Sequence, residues 1–137
     1  LKQPLVAELI AQGHEVVDMG TDGPERVDFP VYAAKVAQAV AEGEVDMGVL
    51  VCGTGLGMAL AANRFPGIRA VSVSESFSAR MARRHNDANI LCLGARVLGA
   101  GAAVEILDAW LEEGFEGGRY AERLEMMRGG YKGGRSS

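Results

Sequence analysis
Apolar residues recur along this chain with two periods that take turns. Leu5, Val6, Leu9 and Ile10 fall on one helical face, and Gly13 ends that helix. His14-Glu15-Val16-Val17-Asp18-Met19 reads as a strand closed by Gly20. Thr21 to Val27 is a polar loop. Asp28 and Pro30 then open a helix carrying Val31, Ala34, Val36, Ala37, Val40 and Ala41, which Gly43 stops. Met47 to Cys52 is a short apolar run of the kind a fully buried strand shows, and Met58 to Asn63 are good helix formers. Arg69 to Ser74 and Asn89 to Leu93 predict two more strands, with a basic-faced helix over Ser76 to Arg84 between them. Ala102 to Glu113 is an amphipathic helix with Val104, Ile106, Leu107 and Trp110. A charged helix covers Arg119 to Arg128, and residues 129–137 read as a loose tail. Strands alternating with helices predict an α/β fold: a doubly wound, mostly parallel sheet with helices on both faces.

Composition narrows the class. A length of 137 residues predicts one domain over 1–137 with a core of useful size. The net charge of −4 argues against a dedicated nucleic-acid binder. No apolar stretch reaches membrane-span length and no signal-peptide pattern is present, so no membrane partner is expected. Cys52 and Cys92 both lie in strand-like runs. Two free thiols in a reducing cytoplasm are a simpler account than a disulfide.

The chemistry concentrates after the central apolar run, where Val51-Cys52-Gly53-Thr54-Gly55-Leu56-Gly57 joins a strand to a helix. Ligands of open α/β sheets bind at that edge. The glycines let backbone N–H groups approach a ligand, and a helix start behind them favours negative charge. Cys52 is therefore a candidate acid/base or nucleophile; the plainer reading is a small core residue. The glycines do not fit G-x-G-x-x-G, since Met58 takes the last position, or Leu60 if the count starts at Gly55. Glu75, where a ribose-binding acid would sit, keeps a dinucleotide reading open, whereas no Gly-Lys-Ser/Thr follows to make a P-loop. His14 and His85 show no metal-ligand spacing with either cysteine. In Arg84-His85-Asn86-Asp87-Ala88-Asn89, His85 sits near a helix end, held by the helix dipole or by Asp87; the alternative is a polar turn. Arg119 and Arg123, four apart, share a helical face that suits a phosphate or simply faces solvent. Arg96 is a third anion contact or a surface charge.

Taken together, these motifs resemble ribose-5-phosphate isomerase type B, within the wider group of ribose/galactose sugar-phosphate isomerases. The resemblance rests on Val51–Gly57, Ala61-Ala62-Asn63, Gly67-Ile68-Arg69-Ala70, Arg84–Asn89, Leu93-Gly94-Ala95-Arg96 and Glu116-Gly117-Gly118-Arg119, in that order over nearly the whole chain. It implies a Rossmann-like sheet and a metal-free, cofactor-free aldose–ketose isomerisation through an enediolate. By matching position Cys52 would be the base. Members with a Glu base place it where this chain has Met58. The N–H groups of Gly53, Gly55, Leu56 and Gly57 would meet the enediolate oxygen, as charge stabilisation aimed at a developing oxyanion. Thr54 and His85 would open the sugar ring, Asn86 would bind hydroxyls, and Tyr32 is a weaker candidate near the ring. Arg96, Arg119 and Arg123 would hold the phosphate. The resemblance further implies a homodimer, or a pair of dimers, with the site at the subunit interface.

One departure stands out. Members begin with a strand ending in Gly-x-Asp-His-x-Gly, whereas this chain opens on Leu1-Lys2-Gln3-Pro4. The expectation is a chain that lacks that first strand, with reduced stability and activity if the lack is real. Alternatives to a ribose 5-phosphate isomerase are an isomerase of allose 6-phosphate or galactose 6-phosphate, and a non-catalytic sugar-phosphate-binding subunit.

Overall fold
Three short strands rich in β-branched and aliphatic residues form the centre of the computed structural model, which describes residues 1–20 and 29–128. They are β1 (Gly48–Cys52), β2 (Ala70–Ser72) and β3 (Ile90–Gly94). They pair in parallel in the order β1-β3-β2, with Gly48 opposite Ile90 and Cys52 opposite Gly94. Six helices surround them: α1 (Lys2–Ala11), α2 (Phe29–Ala41), α3 (Leu56–Ala62), α4 (Ser76–Asn86), α5 (Ala100–Glu112) and α6 (Arg119–Arg128).

Every residue of β3 is buried, and its two faces feed two cores. Ile90 and Cys92 pack with Ala33 and Ala37 of α2 and Met58, Ala59 and Ala62 of α3. Leu91 and Leu93 pack with Leu5 of α1, Ala79 of α4, and Ala103, Ile106, Leu107 and Trp110 of α5. A strand covered on both sides needs an unbroken apolar run, which Ile90-Leu91-Cys92-Leu93 supplies. The doubly wound arrangement expected from the alternating pattern is therefore present. The outer edge of β2 is closed by a side chain: the Asn63 amide donates to the Ala70 carbonyl at 2.9 Å and accepts from the Ala70 N–H at 2.7 Å.

Two expectations need correction. His14 to Met19 is not a strand. A ladder needs a neighbouring strand to take its N–H and C=O groups, and none of the described strands pairs with this segment. Asp18 instead accepts from the Gly20 N–H at 3.1 Å and pairs with Lys2 at 3.1 Å, which holds its carboxyl below the usual range. The strand expected over Arg69 to Ser74 is shorter, Ala70–Ser72. The polar loop, Asp28 and the tail fall outside the described residues.

Candidate active site
β1 delivers Cys52 to the carboxyl edge of the sheet, where its side chain is half-buried. The Gly55 N–H donates to Cys52 Sγ at 3.1 Å, and the Leu56 N–H donates to Thr54 Oγ1 at 3.3 Å. Gly55 has φ +84°, a left-handed conformation that L side chains rarely adopt. A Cβ there would also stand 2.8 Å from Ser72 Oγ. The Gly53–Gly57 turn lies against the end of β3: Ala95 N–H donates to the Cys52 carbonyl at 2.7 Å and Arg96 N–H to the Gly53 carbonyl at 3.0 Å. The Arg96 side chain lies over Gly53, its Cδ 3.6 Å from where a Cβ would be. Tyr32 is half-buried one turn into α2, whose Phe29 ring abuts Gly57. A cleft of about 290 Å³ opens beside the turn, lined by Thr54, Leu56, Ser72, Ser74, Gly94 and Val97.

The two cysteines differ. Both are free. Cys92 is fully buried in β3, and burial, with a smaller push from Cys52, raises its thiol to about 12. It stays protonated and inert near neutral pH. Cys52, at the rim, is the partly exposed thiol of the two.

The remaining predicted residues gather elsewhere. α4 runs back along the sheet and ends on Arg83, Arg84 and His85, a basic last turn that suits the negative end of a helix. The chain then enters β3 at its amino end, where the Asn89 carbonyl accepts from the Gly48 N–H at 2.9 Å. Asn86 is exposed at the tip of α4. Glu116 N–H donates to the Arg84 carbonyl at 2.9 Å, which brings the start of α6 to the same place. The His85 imidazole stacks on Tyr120 with centroids 4.1 Å apart and planes 8° from parallel. Arg119 and Arg123 lie over the same ring at 5.0 and 5.6 Å. His85 Nε2 is 3.8 Å from Glu116 Oε2, which also pairs with Arg84 at 2.7 Å.

Asp87 does not hold His85, as the sequence had suggested. Its carboxylate is taken by Arg69 at 3.2 Å and Arg83 at 3.1 Å, and its backbone is left-handed at φ +47°. Glu75 is not poised for a ribose either. It caps α4, accepting from the Ser78 hydroxyl and from its N–H at 3.0 Å, and these bonds hold its carboxyl below the usual range. Among the described residues no group of three His, Cys, Asp or Glu side chains is gathered to hold a metal, and no helix is long and apolar enough to cross a membrane.

A Cys-bearing glycine turn at one end of a parallel sheet and a His–Arg cluster at the other therefore coexist in one chain. A sequence model of the Ribose/Galactose Isomerase family matches residues 1–127. The chain belongs to that family. Ribose-5-phosphate isomerase B of Escherichia coli is 54% identical over 127 residues, which cover 93% of this chain and 85% of that protein. The structure of Clostridium thermocellum ribose-5-phosphate isomerase B superposes with a TM-score of 0.92 at 50% identity, over 93% of this chain and 86% of that one. The Mycoplasma genitalium enzyme, solved with bound ribulose-5-phosphate, gives 0.89 at 35% identity over 93% and 85%.

In this ribose/galactose isomerase family member, three of the residues expected at the site, His85, Arg119 and Arg123, share one ring, Tyr120. Glu116 opens one of the motifs quoted above and Tyr120 stands between Arg119 and Arg123, with no role of its own expected for either. The signal was present in Arg119-Tyr120-Ala121-Glu122-Arg123: an aromatic ring between two cations on one helix meets both.

Proposed function
We propose that this chain is a single sugar-phosphate isomerase domain over 1–137 that interconverts ribose 5-phosphate and ribulose 5-phosphate, with Cys52 as the base. The observation that carries the reading is the Cys52 sulfur, held by the Gly55 N–H at the rim of a glycine turn. Membership in a family of sugar isomerases supplies the reaction class.

With the sugar ring open, the Cys52 thiolate takes the C2 proton and the C1 carbonyl oxygen becomes the enediolate oxygen. The O2 proton moves to O1, and the Cys52 thiol returns its proton to C1. Atoms and charge balance without a metal or cofactor. Backbone N–H groups of Gly53, Gly57 and the first turn of α3 face the developing oxyanion, since the opening N–H groups of a helix have no partner within it. The Gly55 and Leu56 N–H groups are already engaged with Cys52 and Thr54, so their part is to fix the turn. Thr54 and His85 assist ring opening, Asn86 binds hydroxyls, Tyr32 borders the ring, and Arg96, Arg119 and Arg123 hold the phosphate. Anchoring that far end brings the reacting carbon to the sulfur.

Cys52 and the His85 cluster occupy opposite edges of the sheet, so a complete set draws on two copies of the chain, as a homodimer or a pair of dimers. Uncovered apolar side chains support this: Leu56 and Leu60, four apart on α3, are 60% and 74% exposed, and Val97 across the cleft is 60% exposed.

The test is isomerisation of ribose 5-phosphate by the purified chain with a chelator present, and allose 6-phosphate in parallel. Ribulose 5-phosphate formation is expected. Turnover of the six-carbon sugar alone would reassign the substrate. Silence with both from a folded sample would leave a non-catalytic sugar-phosphate binder.

A further inference from the structure
We propose that Tyr120 is the positioning residue of the anion-binding cluster, the plate against which His85, Arg119 and Arg123 are all set. The proposal rests on the isomerase reading for its substrate, but its geometry stands alone. Three groups converge on one half-buried ring: the His85 imidazole in parallel stacking at 4.1 Å, and the guanidiniums of Arg119 and Arg123 at 5.0 and 5.6 Å. An aromatic face is electron-rich and attracts cations, so it offsets the repulsion between two guanidiniums gathered for one anion. The Tyr120 hydroxyl accepts from Arg119 Nη2 at 2.9 Å, which fixes the plane of a guanidinium that keeps four further N–H donors.

The ring's own place is set by backbone. Gly117 and Gly118 are both left-handed, at φ +72° and +57°, and the Tyr120 N–H donates to the Gly117 carbonyl at 3.0 Å. Residue 116 is tied to α4 through the Arg84 carbonyl at 2.9 Å and through the Arg84–Glu116 pair at 2.7 Å. A tight turn pinned to α4 thus delivers the ring to the imidazole. Arg119 and Arg123 are exposed, and the Tyr120 ring is a contact they share.

The experiment compares the full chain with Tyr120→Phe and Tyr120→Leu, the second keeping apolar bulk without a π face. Inorganic phosphate binding is followed by 31P NMR, kcat and KM are measured with ribose 5-phosphate, and the His85 ring protons are followed by 1H NMR. In Tyr120→Leu, the phosphate dissociation constant and KM are expected to rise together by about tenfold, with kcat changed less than threefold. The upfield ring-current shift of His85 is expected to vanish. Tyr120→Phe should keep that shift and bind phosphate within about threefold of the parent, the loss of one exposed hydrogen bond. Unchanged phosphate binding in Tyr120→Leu would overturn the proposal, as would a Phe variant as impaired as the Leu one. If the parent chain turns over no sugar yet phosphate binding weakens tenfold in Tyr120→Leu, the role of Tyr120 stands and the isomerase reading falls.

Discussion

Cys52 and His85 stand at opposite edges of the same sheet. Cys52 closes β1 at the carboxyl edge, whereas His85 is in the last turn of α4, which hands the chain to the amino end of β3. Five residues of strand lie between those edges, about 13 Å from the first to the last. On the isomerase mechanism proposed above, one sugar would meet the two residues from different copies. Cys52→Ala and His85→Ala homodimers should each be nearly inactive. Mixed and reassociated in equal amounts, half the dimers are heterodimers with one intact site each, so about a quarter of parental activity should return, by simple mixing of equal-affinity chains. Activity that stays at the level of the separate variants after subunit exchange would place Cys52 and His85 in one copy's site or in none.

Removal of the sulfur should cost catalysis and spare binding. Cys52→Ala is expected to lower kcat by about a thousandfold, the size of effect a positioned general base provides. Inorganic phosphate should inhibit the residual activity, or bind by NMR, with an affinity within about twofold of the parent, because the arginines are untouched. A Cys52→Ala enzyme that turns over near the parental rate would move the base elsewhere.

Gly94→Ala should damage the site through its support. A Cβ at residue 94 would lie 2.8 Å from the Thr54 Cα, C and O atoms, which are backbone and cannot swing aside. Crowding of this kind costs about 1–3 kcal/mol. A urea titration should show that loss, and kcat should fall with it as the Thr54–Gly55 turn shifts away from Cys52. A variant with parental stability and turnover would mean that the turn is not braced by β3.

The buried thiol gives the fold an alkaline limit. Burial raises Cys92 from the ordinary 9.0 to about 12. Between those values the unfolded chain releases a proton that the folded chain retains, so rising pH favours unfolding. The stability linked to Cys92 is complete below pH 9 and is lost progressively towards 12. Cys92→Ala lacks this dependence. The parent's advantage over Cys92→Ala in urea midpoint should therefore shrink between pH 8 and pH 10.5. A constant difference would mean that Cys92 titrates alike in both states.

Much of this was legible in the sequence, and the reasons are particular. Ile90-Leu91-Cys92-Leu93 reads as a buried strand because the apolar run is short and is bounded by Asn89 and Gly94. Gly13 and Gly43 mark the ends of α1 and α2 because both adopt positive φ. Cys52 and its glycines showed themselves because the chemistry and the tight turn coincide in one motif. His14 to Met19 misled because its alternation is a property of the segment alone, while a strand is a property of a pair. Asp87 misled for a related reason: proximity in sequence suggested His85, but Arg69, eighteen residues away, and Arg83 claim the carboxylate. Tyr120 was overlooked because stacking joins α4 to α6, and no local pattern encodes a contact between two helices.

The pairing of β1 with β3 carries a further meaning. The turn around Cys52 is braced by the end of the neighbouring strand: Ala95 and Arg96 grip the Cys52 and Gly53 carbonyls, and Gly94 leaves the gap into which Thr54 fits. A slip of one residue in that ladder would set Leu93 where Gly94 belongs and exchange the two faces of β3. Cores that choose between Ile90 with Cys92 and Leu91 with Leu93 are thus also what measures out the Cys52 turn. The sheet acts as a ruler, and the sulfur stands where the count ends.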